Sequence, residues 1–408
     1  MRFRLAPTPA QEAVLLGHCA HARFVWNLAC EQHQHWRPGR ESAPSYGEQS
    51  RQLTEAREEF AWLAAGSQTV QQQALRDFAQ AMANFFAGTH RRPAWRKASR
   101  HEGFRIVGRR GRQWDVRRLS RKAGEVRIPK VGWVRFRWSR QLPGEIKSFR
   151  VALDRAGRWH VAFAAIPPPI DGPGTGEIVG VDRGVVVSAA LSVGELLSVP
   201  GLRETEANRL TRLQRRLARA QRGSNRRKQV KAAIGRIKAR KTDRRKDWVE
   251  KTSTGLARRF DLIRVEDLKI KNMVRSARGT VATPGANVRA KAGLNRSIHA
   301  AGWGRLVRRL EEKAAGRVER IDPAFTSQTC HACGHRDSRN RESQAVFRCR
   351  ACGQGDHADV NAAKNIAAGR AVTFLPRPTG PGRPPERGAL QPLGGAVNRE
   401  PQPVLTSA

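Results

Sequence analysis

Acidic residues are scarce in this chain. Its 408 residues hold 35 Asp+Glu against 77 Lys+Arg, a formal net charge of +42. A soluble protein with that excess fits a polyanionic partner, nucleic acid above all. A codon bias toward arginine would explain Arg over Lys but not the sign of the total. Long apolar runs are missing as well. No stretch approaches the 18 uncharged apolar residues of a membrane-spanning helix, and the opening MRFRLAPTPA has no signal-peptide core. A cytoplasmic, nucleoid-associated protein without a membrane partner is expected. Cysteines number six. Cys19 and Cys30 lie in a helical, apolar context and read as small core residues rather than a disulfide. The other four form a group, and all six suit a reducing compartment.

What is present falls into blocks. The length exceeds one ordinary core, so two or three domains are expected. MRFRLAPTP reads as a short strand that stops at its prolines. Phe24, Val25 and Leu28 fall at helical spacing. Val70, Leu75, Phe78, Met82, Phe85 and Phe86 form one apolar stripe of the kind that packs a helix. From about Gly103, short runs such as EVRIPKVGWVRFRW interleave basic and apolar residues, as on a half-buried sheet with a basic face. PPPIDGPGTG reads as a linker. The β-pattern resumes at EIVGVDRGVVVSAALSVGELLSV and recurs at FDLIRVEDLKI and RVERIDP. Between the last two, GTVATPGANVRAKAGLN is expected to be polar and flexible. Trp303, Leu306, Val307 and Leu310 are spaced as one helix face. The Pro- and Gly-rich tail from about Phe374 is expected to be disordered.

The most basic block runs from Arg203 to Lys246, with 18 Lys or Arg against Glu204, Glu206 and Asp243. Leu210, Leu213 and Leu217, then Val230, Ile234 and Ile237, sit at helical spacing. A pair of helices with one apolar seam and a basic remainder is expected. A merely solvated helix would mix signs more evenly. The candidate nucleic-acid contacts are Arg209, Arg212, Arg215, Arg216, Arg219, Arg226, Arg227 and Lys228.

Two groups carry chemistry. Cys330-x2-Cys333 and Cys349-x2-Cys352 can bring four thiolates to one tetrahedral zinc. Such a site is closed to water and therefore structural. The second group is three acids. Asp182 ends the apolar run IVGVD, Glu266 ends LIRVE, and Asp359 opens the helical pattern ADVNAAKNIAAG. Each has an ordinary reading: a turn residue before Gly184, an exposed strand end shared with Asp267, a first-turn acid favoured by the helix dipole. Taken together they match what nucleases of the RNase H type need, carboxylates on rigid elements that hold two Mg²⁺ for phosphodiester hydrolysis. Oxygen ligands suit Mg²⁺ and thiolates suit zinc, which keeps the two metals apart.

GVDRGV, VEDLKIKNM, TSQTCHACGH and CRACGQGDHADVNAAKNI, in that order, closely resemble the OrfB/TnpB proteins of insertion sequences, a group related to type V CRISPR effectors. RLAPTPAQ, ARFVWN, QALRDFAQAMANFF and IPKVGWVRFR extend the likeness upstream, to cover roughly residues 1–370. The resemblance implies an α/β plus β protein: a RuvC-like (RNase H fold) nuclease domain with an inserted four-cysteine zinc ribbon, preceded by a β-barrel wedge domain interrupted by a helical recognition domain. The expected boundaries are 1–9 and 100–170 for the wedge, 10–99 for the recognition domain, 171–176 for a linker and 177–373 for the nuclease domain. The basic insertion is expected at 203–250, the ribbon at about 326–356 and the tail at 374–408. The implied activity is RNA-guided, Mg²⁺-dependent cleavage of double-stranded DNA by a monomer carrying a transposon-derived guide RNA. Asp182, Glu266 and Asp359 would be its catalytic acids and the four cysteines its zinc ligands. Asp356 competes with Asp359, which is preferred because the family acid stands two residues before Asn361-Ala362-Ala363. The chain departs from the family pattern at its short first strand and at Ala6, where an aromatic is usual. A catalytically silent RNA- and DNA-binding repressor and a strand-transferring transposase are the alternatives.

Overall fold

The computed structural model describes residues 1–34, 43–100, 102–142 and 145–369. The expected tail and residues 370–373 of the expected nuclease segment lie outside them. The chain opens with β1 (Arg2–Ala6), followed by α1 (Pro9–Gln34), α2 (Tyr46–Glu59), α3 (Ala61–Ala64) and α4 (Gln68–Phe86). Leu15, Cys19, Ala22, Trp26 and Cys30 recur every three or four residues on the buried face of α1. That face packs against α4, which buries Val70, Leu75, Phe78 and Met82. Three expectations change here. Phe24 and Leu28 are each 42% exposed and Phe86 is 68% exposed. They lie off the seam, and Phe24 meets Trp62 of α3 edge-on at 5.0 Å instead. Cys19 and Cys30 are buried free thiols, and burial pushes Cys19 up to about 12.

Six strands follow: β2 (Gly103–Val107), β3 (Asp115–Arg118), β4 (Ala123–Ile128), β5 (Gly132–Arg137), β6 (Ser148–Leu153) and β7 (Trp159–Phe163). With β1 they form one antiparallel sheet in the order β2-β6-β7-β1-β5-β4-β3. The N-terminal strand is its centre. Arg2, Phe3 and Arg4 pair with β7, and Leu5 and Ala6 pair with β5. Alternation decides which face is wet. On β5, Val134 and Phe136 are buried while Arg135 and Arg137 are exposed.

The second half contains β8 (Ile178–Asp182), β9 (Ala189–Leu191), β10 (Leu196–Leu197), α5 (Glu204–Arg219), α6 (Asn225–Arg259) and β11 (Leu262–Glu266). It continues through α7 (Ile270–Met273), α8 (Val288–Ala301), α9 (Trp303–Lys313), β12 (Val318–Ile321), β13 (Val346–Arg348), β14 (Gly355–His357) and α10 (Ala358–Ala367). Five strands form a mixed sheet in the order β10-β9-β8-β11-β12. β9 and β10 run antiparallel to their neighbours, whereas β8, β11 and β12 are parallel. Val179, Val181, Ile263 and Val265 are buried on the central strands, as parallel strands covered on both faces require. Val249, Leu256 and Ala257 of α6 and Leu306, Val307 and Leu310 of α9 complete the same core.

Three boundaries differ from the sequence reading. The basic insertion, expected to close at 250, continues as one helix to Arg259, because its last turns bury apolar residues in the sheet core. The expected linker is tethered: the Asp261 carboxylate accepts from the N–H groups of Gly174 (2.9 Å) and Gly176 (2.6 Å). The expected flexible stretch is helical from Val288. Only Ile298 and Ala301 of α8 are buried, too thin a stripe to read from sequence. Its Lys291 and Asn295 also reach back to the Met273 and Val274 carbonyls, at 2.6 and 3.0 Å. No helix among the described residues is long and apolar enough to cross a membrane.

α10 lies against β8 at a glycine. A Cβ at Gly180 would stand 2.0 Å from the Ala363 carbonyl oxygen and 2.4 Å from the Ala367 nitrogen. Backbone cannot yield as a flexible side-chain end can. Gly180→Ala is therefore expected to destabilise the protein by about 1–3 kcal/mol, the usual cost of overpacking. Gly201→Ala, which meets nothing within 4 Å, should leave thermal melting unchanged.

Candidate active site and metal centre

Asp182 is the last residue of β8, Glu266 the last of β11, and Asp359 stands in the first turn of α10. Because β8 and β11 are adjacent parallel strands, their C-terminal ends lie side by side, and α10 crosses β8 with its N-terminal turn at the same end. Burial first, then the charges of Glu266 and Asp359, holds the Asp182 carboxyl well above the usual carboxylate range. Arg341 and the Arg183 backbone N–H pull the other way without cancelling it. The three acids therefore share one electrostatic site. Asp356 is not among the charges that raise Asp182. Asp356 Oδ2 accepts from Lys364 Nζ at 2.6 Å, and its Oδ1 accepts from the His357 N–H at 2.8 Å.

Two arginines serve this cluster, and sequence reasoning named neither. Arg183 is buried and donates to the Glu266 carbonyl oxygen, tying the ends of β8 and β11 together. Arg341 Nη2 donates to Asp359 Oδ1 at 3.0 Å and to the Gln344 carbonyl at 3.1 Å. Arg183 sits beside Asp182 in sequence and could have been flagged. Arg341 meets Asp359 only through the fold. A cavity of about 180 Å³ opens next to the loop after Asp182, lined by Val185, Ser188, Val199, Lys241, Arg245 and Ala301 among others.

The four cysteines come together, with one ligand atom from each within 4.8 Å of the others. The Sγ atoms of Cys330 and Cys352 are 3.8 Å apart, and those of Cys333 and Cys349 are 3.5 Å apart. Tetrahedral zinc with Zn–S bonds of about 2.3 Å places its sulfurs roughly 3.8 Å apart, so the donor set fits a structural zinc site. Burial pushes the Cys349 thiol up, but the N–H groups of Cys352 and Ala351, with the Cys333 and Cys352 side chains, outweigh it and lower the thiol to about 6.

The basic helices form a hairpin whose seam buries Leu213, Val230, Ile234 and Ile237. Arg209, Arg212, Arg215, Arg216, Arg219, Arg226 and Lys228 are exposed around it. Arg227 differs. Its guanidinium donates to the Leu217 and Ala220 carbonyls at 2.7 and 3.0 Å and so caps the C-terminus of α5.

Residues 164–277 match the IS605 OrfB family, described as "Probable transposase". Residues 303–366 match a Cas12f1-like TNB domain, and residues 1–41 a helix-turn-helix domain of the same OrfB group. The chain is 35% identical over 393 residues to "Putative RNA-guided DNA endonuclease InsQ" of Escherichia coli strain K12, covering 94% of this chain and 95% of that protein. The chain belongs to the IS605 OrfB family. A second relative, "Putative RNA-guided DNA endonuclease" of Streptomyces pristinaespiralis, is 32% identical over 411 residues, covering 98% and 96% of the two chains. The fold is similar to that of Cas12f1 in a cryo-EM structure of its complex with sgRNA and target DNA, at a TM-score of 0.51 and 15% identity, over 88% of this chain and 82% of that one. The match named for a helix-turn-helix covers, in its described part, a strand and one 26-residue helix.

The raised Asp182 carboxyl sets a direction for stability in this OrfB chain. Its contribution is fully present at and below the ordinary carboxylate range and is lost as pH rises through the raised value. Without added divalent cation, Asp182→Asn should therefore gain thermal stability on the wild type as pH rises. The gap should close toward pH of about 4. Parallel melting curves across pH check this.

Proposed function

We propose that this OrfB-family chain is a transposon-encoded, RNA-guided DNA endonuclease that hydrolyses phosphodiester bonds with Mg²⁺ held by Asp182, Glu266 and Asp359. One observation carries the reading: three carboxylates meet at the ends of adjacent parallel strands and at α10, where burial first and then the charges of Glu266 and Asp359 hold the Asp182 carboxyl well above its usual range. A site of oxygen donors under mutual repulsion suits a hard divalent cation, which relieves the repulsion. When bound at these carboxylates, such ions would supply an activated water and stabilisation of the leaving oxygen. The chain's own part is to hold the carboxylates on rigid elements and exclude bulk water from the buried strand ends. Arg341, which donates to Asp359, would also supply a guanidinium to a substrate phosphate there.

The strand order β10-β9-β8-β11-β12, with its antiparallel outer pair and parallel remainder, supports a RuvC-like domain of the RNase H type. We read the seven-stranded sheet as the wedge β-barrel, α1–α4 as the recognition domain and the Cys330–Cys352 module as the zinc ribbon. Guide RNA and double-stranded target DNA are the proposed partners. The exposed arginines of the α5–α6 hairpin and the basic face of the first sheet would hold their phosphates. The names of the two full-length relatives support the same reading. The protein is proposed to act as a monomer in the cytoplasm, at the nucleoid.

Alanine at Asp182, Glu266 or Asp359 should abolish cleavage of a guide-matched duplex while leaving RNA binding intact. Asp356→Ala should retain substantial activity. Hydrolysed ends are expected among the products. Joined strands would indicate strand transfer instead, and wild-type cleavage by all three alanine variants would overturn the nuclease reading.

A further inference from the structure

The module carrying the four cysteines touches two of the three acids, at two separate points. On its entry side, Thr326 Oγ1 donates to Glu266 Oε1 at 3.0 Å, with both residues buried. The same hydroxyl lies 3.2 Å from the Pro323 carbonyl. One proton serves one acceptor at a time, and the Glu266 carboxylate lies at the shorter distance. On the other side, Arg341 reaches Asp359.

Segment 326–331 is itself stitched to α10. Asn365 Nδ2 donates to the carbonyls of Thr326 (2.9 Å) and Thr329 (2.7 Å). Asn361 Nδ2 donates to the Thr329 carbonyl at 2.8 Å, and its Oδ1 accepts from the His331 N–H at 3.0 Å. Asn361 and Asn365 are buried and stand one helical turn apart on the helix that carries Asp359. Cys330 lies within the stitched segment. The module is closed on itself by Asn340, fully buried, which donates to the Gln328 and His335 carbonyls at 3.0 and 3.2 Å and accepts from the Arg350 N–H at 2.9 Å.

We propose that Thr326 is a positioning residue for Glu266, and that segment 326–331, held to α10 by Asn361 and Asn365, ties the order of the four-cysteine centre to the geometry of the carboxylate site. The inference rests on the nuclease reading, which supplies the reason for holding Glu266 still. Glu266 lies at a strand end, where its backbone is fixed but its side chain has rotamers to choose among. A hydroxyl donor to one oxygen selects among those rotamers. Outer partners of this kind set metal affinity by about 10- to 100-fold.

The test compares full-length Thr326→Val, which keeps shape and loses the hydroxyl, with Thr326→Ser, which keeps the hydroxyl. Mn²⁺ binding is read by electron paramagnetic resonance, together with the Mn²⁺ concentration at half-maximal guided cleavage. Zinc content and melting temperature report the fold. The expected result is about tenfold or greater weakening of Mn²⁺ binding in Thr326→Val, near wild-type binding in Thr326→Ser, and one zinc in both. Should Thr326→Val lose zinc or melt early, Thr326→Ala carries the same expectation. Wild-type Mn²⁺ affinity in Thr326→Val, or equal weakening in Thr326→Ser, overturns the positioning role while leaving the nuclease reading intact. Unchanged Mn²⁺ binding in a Glu266→Ala control overturns both.

Discussion

The second half of the chain depends on a strand and a helix that approach until no side chain fits between them. Gly180 in β8 faces the backbone of α10 closely enough that even a methyl group would overlap the Ala363 carbonyl. Ala362, Ala363 and Ile366 on that helix are buried. The close approach fixes the start of α10 beside the end of β8, and so fixes Asp359 relative to Asp182. The strand ladder does the same for Glu266, since β8 and β11 are in register from Ile178 with Leu262 to Val181 with Val265. Three carboxylates that repel one another are thus held together by packing that has nothing to do with their charge.

The rest of the chain can be read as support for that arrangement. α6 serves two structures at once: its first half completes the seam of the basic hairpin, and its second half covers the sheet. A polyanion on the hairpin would therefore rest on the same helix that covers the five-stranded sheet. The first sheet meets this helix as well. Arg158, at the start of β7, bridges Asp154 at 2.8 Å and Asp243 of α6 at 2.5 Å. His160 adds to the grip on Asp154, whose carboxyl is lowered to about 2 because these hydrogen bonds outweigh its burial.

Much of the candidate site was legible in the sequence because its residues mark changes of local pattern. An apolar run that ends in an acid, as at IVGVD and LIRVE, announces a strand end. Two CxxC pairs announce one metal. The features that sequence reading missed depend on partners distant along the chain. Arg341 carries no periodic or spacing signal, and Thr326, though it opens the motif TSQTCHACGH, carries none that points to Glu266; only the fold brings them to Asp359 and Glu266. Arg227 looked like its exposed neighbours, yet its guanidinium is taken up by a helix end. Phe24, Leu28 and Phe86 fitted a helical period, but the buried stripe of each helix was narrower than the run of apolar residues. α8 was missed for the opposite reason, with only two buried residues and polar tethers doing the rest.

The central claim is that Asp182, Glu266 and Asp359 together form one site for hard divalent cations. Anomalous scattering from crystals of the full-length protein grown with Mn²⁺ tests it most directly. The account predicts Mn²⁺ peaks in contact with all three carboxylates and a separate zinc signal at Cys330, Cys333, Cys349 and Cys352. Mn²⁺ bound at Asp356 and Lys364, with nothing between Asp182 and Glu266 at saturating concentration, would contradict it.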